Sequence, residues 1–509
     1  MVDTIAILDF GGQYCHLISR RIRDMGVFSK VFPCETTKEE LLKINDLKGI
    51  ILSGGAASVY DALSPKLGIN VLSINIPILG ICYGHQLVAH LEKGMAMPGE
   101  NAEYGVTKLT IEKKSNLLSG LNNIEDVWMN HGDIVTKLPD DYEILASTKD
   151  SLIAAFENNK RHIYGVQFHP EVTHTPNGGK IIENFVLKIC NANKQWQVSN
   201  VIDRIKGEIR NEIGDKKAII GLSGGIDSSA VAILVSEVIK EKLVAVYVDT
   251  GLMRYQETEF IQEEFSKYNL NLKIIKAEQK FFNALKGVTD PEEKRKIIGK
   301  LFIDIFEEIA QEEKAEILIQ GTIYSDRIES GATKNSSVIK SHHNVGGLPE
   351  NIEIKIYEPF RDLYKDEVRS IAKDLGLSRE ITERQVFPGP GFAVRIIGEV
   401  TREKADIVRK ASHIVEEELK NSGLWSKVWM SFAVLLSIKS VGIQGDSRSY
   451  KYPIAVRIIE SKDAMTANFS KIPYEILEKI SSRITNEIKE VNRVVYDISN
   501  KPPATMEWE

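Results

Sequence analysis

Cysteine is scarce in this chain: Cys15, Cys34, Cys82 and Cys190 are the only four, and no CxxC occurs. That spacing argues against a zinc knuckle or a disulfide framework and fits a reducing compartment. Long apolar runs are missing too, since none reaches the ~18 residues of a membrane-spanning helix. The opening MVDTIAILDFGGQY has no basic n-region and meets Asp9 too early for a signal peptide. The expected location is therefore the cytosol, with no membrane partner. A basic excess is absent: 65 Lys and Arg stand against 71 Asp and Glu, for a net charge of -6, which disfavours a general DNA or RNA binder. No internal repeat or low-complexity tract appears.

What remains is an ordinary globular composition, 43% hydrophobic and 27% charged over 509 residues. That length is too great for one core and predicts two to four domains of about 100–200 residues. Residues 1–192 alternate short β-branched runs (TIAILDF, GIILSGG, PILGICYG, IYGVQFHP) with helical stretches, the pattern of an α/β layered domain. After the polar CNANKQWQVSN, residues 197–385 repeat that pattern through KKAIIGLSGGIDSSAVAILVSEVI, LVAVYVDTG and AEILIQGT. FPGPG then interrupts, and residues 386–509 mix strands with amphipathic helices as a smaller α+β unit.

In PILGICYGHQLVAHL, PILGI reads as a strand, LVAHL as the start of a helix, and Cys82 lies at the bend between them. A G-x-C-x-G bend lets the backbone turn sharply, exposes the thiol and aims helix N-terminal amides at it, which favours a thiolate. A lone cysteine in such a turn would be core filler. IYGVQFHPEV supplies the missing partners: an extended segment carries His169 with Glu171 two residues on, so both side chains point the same way. A carboxylate that fixes an imidazole and an imidazole that takes a thiol proton complete an acyl-transfer triad.

GICYGHQ with FHPEV resembles the class I glutamine amidotransferases. The resemblance implies that Cys82, His169 and Glu171 hydrolyse glutamine to glutamate and ammonia. SGGAAS at 53–58 is similar to that family's oxyanion loop, with Ala56 where proline is usual, and Gly55 and Tyr83 would supply the oxyanion amides. His16, His85, His90, His131 and His174 show no metal-ligand spacing and read as structural or surface groups, so no zinc is expected.

SGGIDSS, residues 223–229, follows the strand AIIGL and opens a helix, presenting backbone N–H groups and hydroxyls to an anion at the positive helix end. It is not a Walker A loop, because GxxxxGK[ST] is absent. SGGxDS resembles the PP-loop of ATP pyrophosphatases, which implies that Ser223, Gly224, Gly225, Asp227, Ser228 and Ser229 bind ATP and release pyrophosphate. Mg²⁺ would come with ATP, with Asp227 as the candidate to organise metal or loop. Asp249 ends the next strand, at the sheet edge where α/β folds bind ligands, so it is expected to contact ATP with the adenosine nearby. In YEPFRDLYKDEVR, Arg361, Lys365 and Asp366 would pass as a salt-bridged surface helix on charge pattern alone.

With GTIYSDRIES, IKSHHNVGG, FPGPG and the terminal KPPATMEWE, essentially the whole chain resembles the glutamine-hydrolysing GMP synthetases. That resemblance implies two α/β domains and a C-terminal α+β dimerisation domain, and it promotes Lys365 to an ATP contact. It implies amination of xanthosine 5′-monophosphate (XMP) to GMP with ATP and glutamine, through an adenylated XMP, by a homodimer. It also implies XMP contacts from Arg295, Gln444, Arg493, Lys501 and Glu507. Without it, Arg295 and Gln444 would be background polar groups. Asp326, Glu329 and Lys340 fall in a Gly- and Ser-rich segment expected to close over ATP as a lid. Arg327 stands where an apolar residue is common, and Gln385-Val386 where His-Pro is frequent. Three alternatives stay open: a PP-loop tRNA-modifying enzyme, disfavoured by the absence of CxxC and of basic charge; a non-catalytic glutamine sensor, disfavoured by the intact motifs; and a PP-loop amidotransferase that adenylates a different acceptor.

Overall fold

In the computed structural model, the structure describes residues 2–324, 354–444, 446–461 and 466–509. The chain divides into two units, the first running to Val201 and the second starting at Ile202. Asp326, Arg327, Glu329 and Lys340 of the expected lid lie outside the described residues.

The first unit is built on one sheet of nine strands: β1 (Thr4–Asp9), β2 (Phe28–Pro33), β3 (Leu47–Leu52), β4 (Ile78–Ile81), β5 (Met95–Ile111), β6 (Ile124–Lys137), β7 (Glu143–Ser147), β8 (Ala155–Asn158) and β9 (Ile163–Val166). They lie in the order β2-β1-β3-β4-β9-β8-β7-β5-β6. The run from β2 to β9 is parallel and the rest antiparallel. In the parallel half the central strands are apolar along their length because both faces are covered. Ile5, Ile7, Ile51, Leu79 and Val166 pack on one side, and Ala6, Leu8, Ile50, Leu52 and Ile78 on the other.

The second unit opens on a five-stranded, fully parallel sheet: β10 (Ala218–Gly221), β11 (Leu243–Asp249), β12 (Asn271–Lys276), β13 (Ile317–Ile319) and β14 (Lys355–Tyr357), in the order β12-β11-β10-β13-β14. The order reverses at β10. In such sheets the crevice beyond the C-terminal end of the strand at the reversal is where ligands bind. The helix after β10, Ile226–Ile239, is buried on nearly all sides, which explains its continuous apolar run IDSSAVAILVSEVI.

A third sheet follows: β15 (Met430–Leu435), β16 (Ser440–Gln444), β17 (Ser447–Glu460), β18 (Asn468–Phe469) and β19 (Val491–Tyr496). The long β17 pairs with the other four, parallel only to β19. Helices Arg402–Asn421 and Tyr474–Glu487 bring Ile407, Val408, Val415, Ile480 and Ile484 into the same apolar core as Ile219 and Val246 of the parallel sheet.

Candidate active sites

Cys82 is where the bend was expected, but the helix starts earlier than LVAHL suggests. Tyr83–Leu91 is helical, so Cys82 is itself the N-cap, with φ 52° and ψ -105°. Few residues other than glycine tolerate a positive φ, so the neighbours must hold this conformation. They crowd the bend: a Cβ on Gly80 would lie 2.4 Å from the Gly84 carbonyl oxygen, and one on Gly84 would lie 2.4 Å from that of Leu52. Strand and helix therefore approach backbone to backbone, and the thiol is left at the positive end of the helix.

The strand before His169 ends at Val166, so a bend rather than an extended segment carries His169 and Glu171. The pair forms all the same, with Nδ1 2.7 Å from Oε1. The His169 carbonyl accepts a hydrogen bond from Thr175 Oγ1 at 2.7 Å, and Arg21 Nε donates to the Glu171 carbonyl at 3.1 Å. His169 and Cys82 flank Gly54, where an added Cβ would lie 3.1 Å from His169 Cε1 and 3.7 Å from Cys82 Cβ. Cys82, His169 and Glu171 are all buried. Burial alone would push the His169 imidazole down, but the neighbouring Cys82 thiol and the Glu171 carboxylate outweigh it and push it up to about 10. Gly55 lies against the Phe10 carbonyl and the Tyr83 ring, while Ala56 is exposed.

Several groups around this site went unnoticed in the sequence. The Tyr14 ring meets the His169 ring edge-on at 5.1 Å. Gln167 Nε2 is 3.8 Å from Cys82 Sγ, and its Oε1 accepts from Gln86 Nε2 at 3.1 Å. Gln86 also donates to the Asp133 carbonyl, which accepts from His131 Nδ1 as well. His131 Nε2 faces Glu103 at 3.3 Å, both buried, so this histidine is a partnered core group. A glutamine inside the apolar run IYGVQF was the available signal: a buried amide needs partners. His85 is buried against Phe156, and burial pushes its imidazole down to about 3, so it is neutral.

In the second unit, SGGIDSS occupies the turn beyond β10 at the reversal of strand order. Ser223 Oγ and Ser228 Oγ are 2.9 Å apart, Ser223 Oγ accepts from the Gly225 N–H at 3.3 Å, and Ser229 Oγ donates to the Gly225 carbonyl at 2.7 Å. The result is a tight ring of hydroxyls and amides at a helix N-terminus, the geometry that receives phosphate. Lys365, first residue of the helix Lys365–Asp374, reaches across to Asp227 with Nζ 2.5 Å from Oδ2. Asp249 is engaged within the fold: Oδ1 accepts from the Gly251 N–H at 3.0 Å and Oδ2 from Thr258 Oγ1 at 2.9 Å.

The remaining expected contacts lie around the C-terminal tail and the third sheet. Arg295 pairs with Glu292 at 2.7 Å and donates to the main-chain carbonyl of Glu509. Glu507 accepts two bonds of 2.9 Å from Arg395. Arg493 donates to the Val441 carbonyl at 3.4 Å, on the strand that ends at Gln444. Lys501 exchanges main-chain hydrogen bonds with Ala467.

Three stretches match known families: residues 6–189 match glutamine amidotransferase class-I, 197–299 NAD synthase, and 417–508 the GMP synthase C terminal domain. Along its whole length the chain is 50% identical to GMP synthase (glutamine-hydrolyzing) of Caldanaerobacter subterraneus subsp. tengcongensis, covering 100% of this chain and 99% of that protein. It belongs to the glutamine-hydrolysing GMP synthase family. Identity to family members from Fusobacterium nucleatum and Petrotoga mobilis is 49%, again with 99% or more of both chains covered. Membership gives a single context to a glutamine amidotransferase and a phosphate-loop synthetase carried on one chain. The NAD synthase match is confined to the stretch that begins with the phosphate-loop sheet. Among the described residues, no helix is long and apolar enough to cross a membrane.

Proposed function

We propose that this chain is a glutamine-hydrolysing GMP synthase that aminates XMP with ammonia drawn from glutamine, in the cytosol and as a homodimer. The observation that carries the reading is the presence in one chain of a buried thiol–imidazole–carboxylate set and of a phosphate loop at the reversal of a parallel sheet. In the first unit His169 takes the Cys82 proton, and the sulfur attacks the side-chain amide carbon of glutamine. The oxyanion forms against the Gly55 and Tyr83 amides. His169 returns the proton to the departing ammonia, and water then hydrolyses the thioester to glutamate.

In the second unit Ser223, Gly224, Gly225, Ser228 and Ser229 bind the ATP phosphates, with Lys365 as a cation beside them and Asp249 shaping the neighbouring turn. The XMP O2 attacks the α-phosphorus, pyrophosphate leaves, ammonia attacks C2, and AMP departs with the former O2. Asp227 suits a magnesium ion delivered with ATP, since its Oδ1 is buried with no hydrogen-bond partner among the described residues. When bound, that ion neutralises charge on the leaving pyrophosphate. Residues 1–192 form the ammonia-releasing domain in this reading and 197–385 the activating domain. Residues 386–509 form the domain that pairs two copies and, with Arg295, holds XMP through Gln444, Arg493, Lys501 and Glu507.

The test is GMP formation from XMP and Mg·ATP by wild type and Cys82→Ala, each with glutamine and with ammonium. The variant should lose the glutamine reaction by at least about 1000-fold and keep the ammonium reaction. If wild type makes no GMP from either nitrogen source, the acceptor is wrong and a different adenylated acceptor is indicated.

A further inference from the structure

The phosphate loop is gripped from outside by a buried ion pair that no sequence motif pointed to. Arg384 follows the short helix Arg379–Thr382, and Glu257 opens the helix Glu257–Ser266. The two form a forked pair, with Nη1 2.9 Å from Oε1 and Nη2 2.6 Å from Oε2. The Glu257 side chain is 2% exposed and that of Arg384 15%. The guanidinium lies 4.4 Å above the Phe260 ring, and Nη1 donates a further bond of 3.2 Å to the Gly224 carbonyl, the second residue of SGGIDSS. Gly224 has φ +73°, and a Cβ there would lie 2.7 Å from Glu257 Oε1 and 3.0 Å from Arg384 Nη1.

A buried ion pair adds little net stability over an apolar substitute, so stability alone is a weak reason for one at this place. Geometry supplies a better one. A trans peptide turns its carbonyl and the following N–H in opposite directions. Holding the Gly224 carbonyl outward therefore turns the Gly225 N–H inward, where it meets Ser223 Oγ beside Ser228. Arg384 is also tied to the third sheet through its neighbour. Gln385 Oε1 accepts from both N and Oγ of Ser431 on β15, at 2.8 and 2.9 Å, and the Gln385 carbonyl accepts from Arg254 Nη2 at 2.6 Å.

We propose that Arg384, locked by Glu257, is a positioning residue that sets the Gly224–Gly225 peptide of the phosphate loop, and that Gln385 links this setting to strand β15. The proposal rests on the reading of the loop as an ATP site. It makes Glu257 favour binding of an anion from which its own negative charge would be expected to detract.

Equilibrium binding of Mg·ATP to the full chain, by calorimetry, tests it with wild type, Glu257→Gln and Arg384→Lys. If the fork positions the loop, Glu257→Gln weakens ATP binding about tenfold or more although it removes a negative charge. Arg384→Lys weakens it as well although it keeps the positive charge, since lysine cannot form the fork. ATP binding by Glu257→Gln as tight as or tighter than wild type overturns the positioning role and leaves only an electrostatic one. Wild-type binding by Arg384→Lys, a check independent of how well Glu257→Gln folds, overturns the need for the fork. Failure of wild type itself to bind ATP overturns the loop reading, and is distinguishable from both because it requires no variant.

Discussion

At the scale of single residues, the first site is a contest between burial and pairing that pairing wins. His169 carries its proton to about 10 from an ordinary 6.5, because the Cys82 and Glu171 contributions exceed the desolvation that opposes them. A group whose folded value is raised stabilises the fold fully below its unfolded value and loses that contribution as pH rises through the folded one. Replacing Glu171 with Gln removes one of the two supports. The stability gap between wild type and Glu171→Gln, read from urea unfolding of the first unit, should be widest below pH 6.5 and close toward pH 10. The alkaline limb of glutamine hydrolysis should move to lower pH in the variant. Identical alkaline limbs would mean that Glu171 does not hold the proton on His169. Cys82, His169 and Glu171 were legible because each sits in a short motif with its own backbone signature. Tyr14 was not, and Gln167 was only in that a buried amide needs partners: what makes them matter is the contact of Gln167 with Cys82 and of Tyr14 with His169, each across residues distant in the chain.

Among elements, the junction between β4 and the helix Tyr83–Leu91 depends on two glycines because carbonyl oxygens occupy the space a side chain would need. Gly84→Ala forces a methyl toward the Leu52 carbonyl on the neighbouring strand β3, and should destabilise the first unit by about 1–3 kcal/mol or more. The temperature at which glutamine hydrolysis is lost would report it, and an unchanged temperature would show that the elbow can open at little cost. In the second unit SGGIDSS falls at the reversal of strand order. That coincidence could not be read from the sequence, because strand order depends on which strands pair and not on their succession. Asp249 illustrates the reverse: its position at a strand end was legible, but both its oxygens turned out to hold the Gly251 turn and Thr258.

Over the second unit as a whole, the C-terminal tail is fastened by three buried cations. Lys294, fully buried, donates to the carbonyls of Ala393 and Ile396 and pairs with the Glu509 side chain. Arg395 takes Glu507, and Arg457, also fully buried, takes Asp497 at 2.7 Å and the carbonyls of Thr505 and Met506. The Lys294 link joins the helix Pro291–Glu313 to Glu509 across 215 residues and the Arg395 link spans 112, while Arg457 holds the tail over a shorter range. Glu509→Gln leaves Lys294 with an uncompensated charge in the interior, and should lower the stability of this unit by up to about 3–5 kcal/mol. Urea unfolding followed by tryptophan fluorescence would measure it, and a loss under about 0.5 kcal/mol would make the tail a surface feature.

By itself the sequence determined the α/β layering, the elbow cysteine with its histidine and glutamate, and the phosphate loop. Each of these is encoded locally, in apolar runs, in glycines where the backbone must turn, and in polar residues at strand ends. The tertiary structure decided what those motifs rest against: Gln167 beside the thiol, the Arg384–Glu257 fork behind the loop, and the buried lysine and arginines under the tail. In the sequence the lysine and arginines look like ordinary surface charge, and Gln167 is a lone amide in an apolar run. Burial makes them matter, since a charge or amide removed from water must find its partner wherever the folded chain provides one.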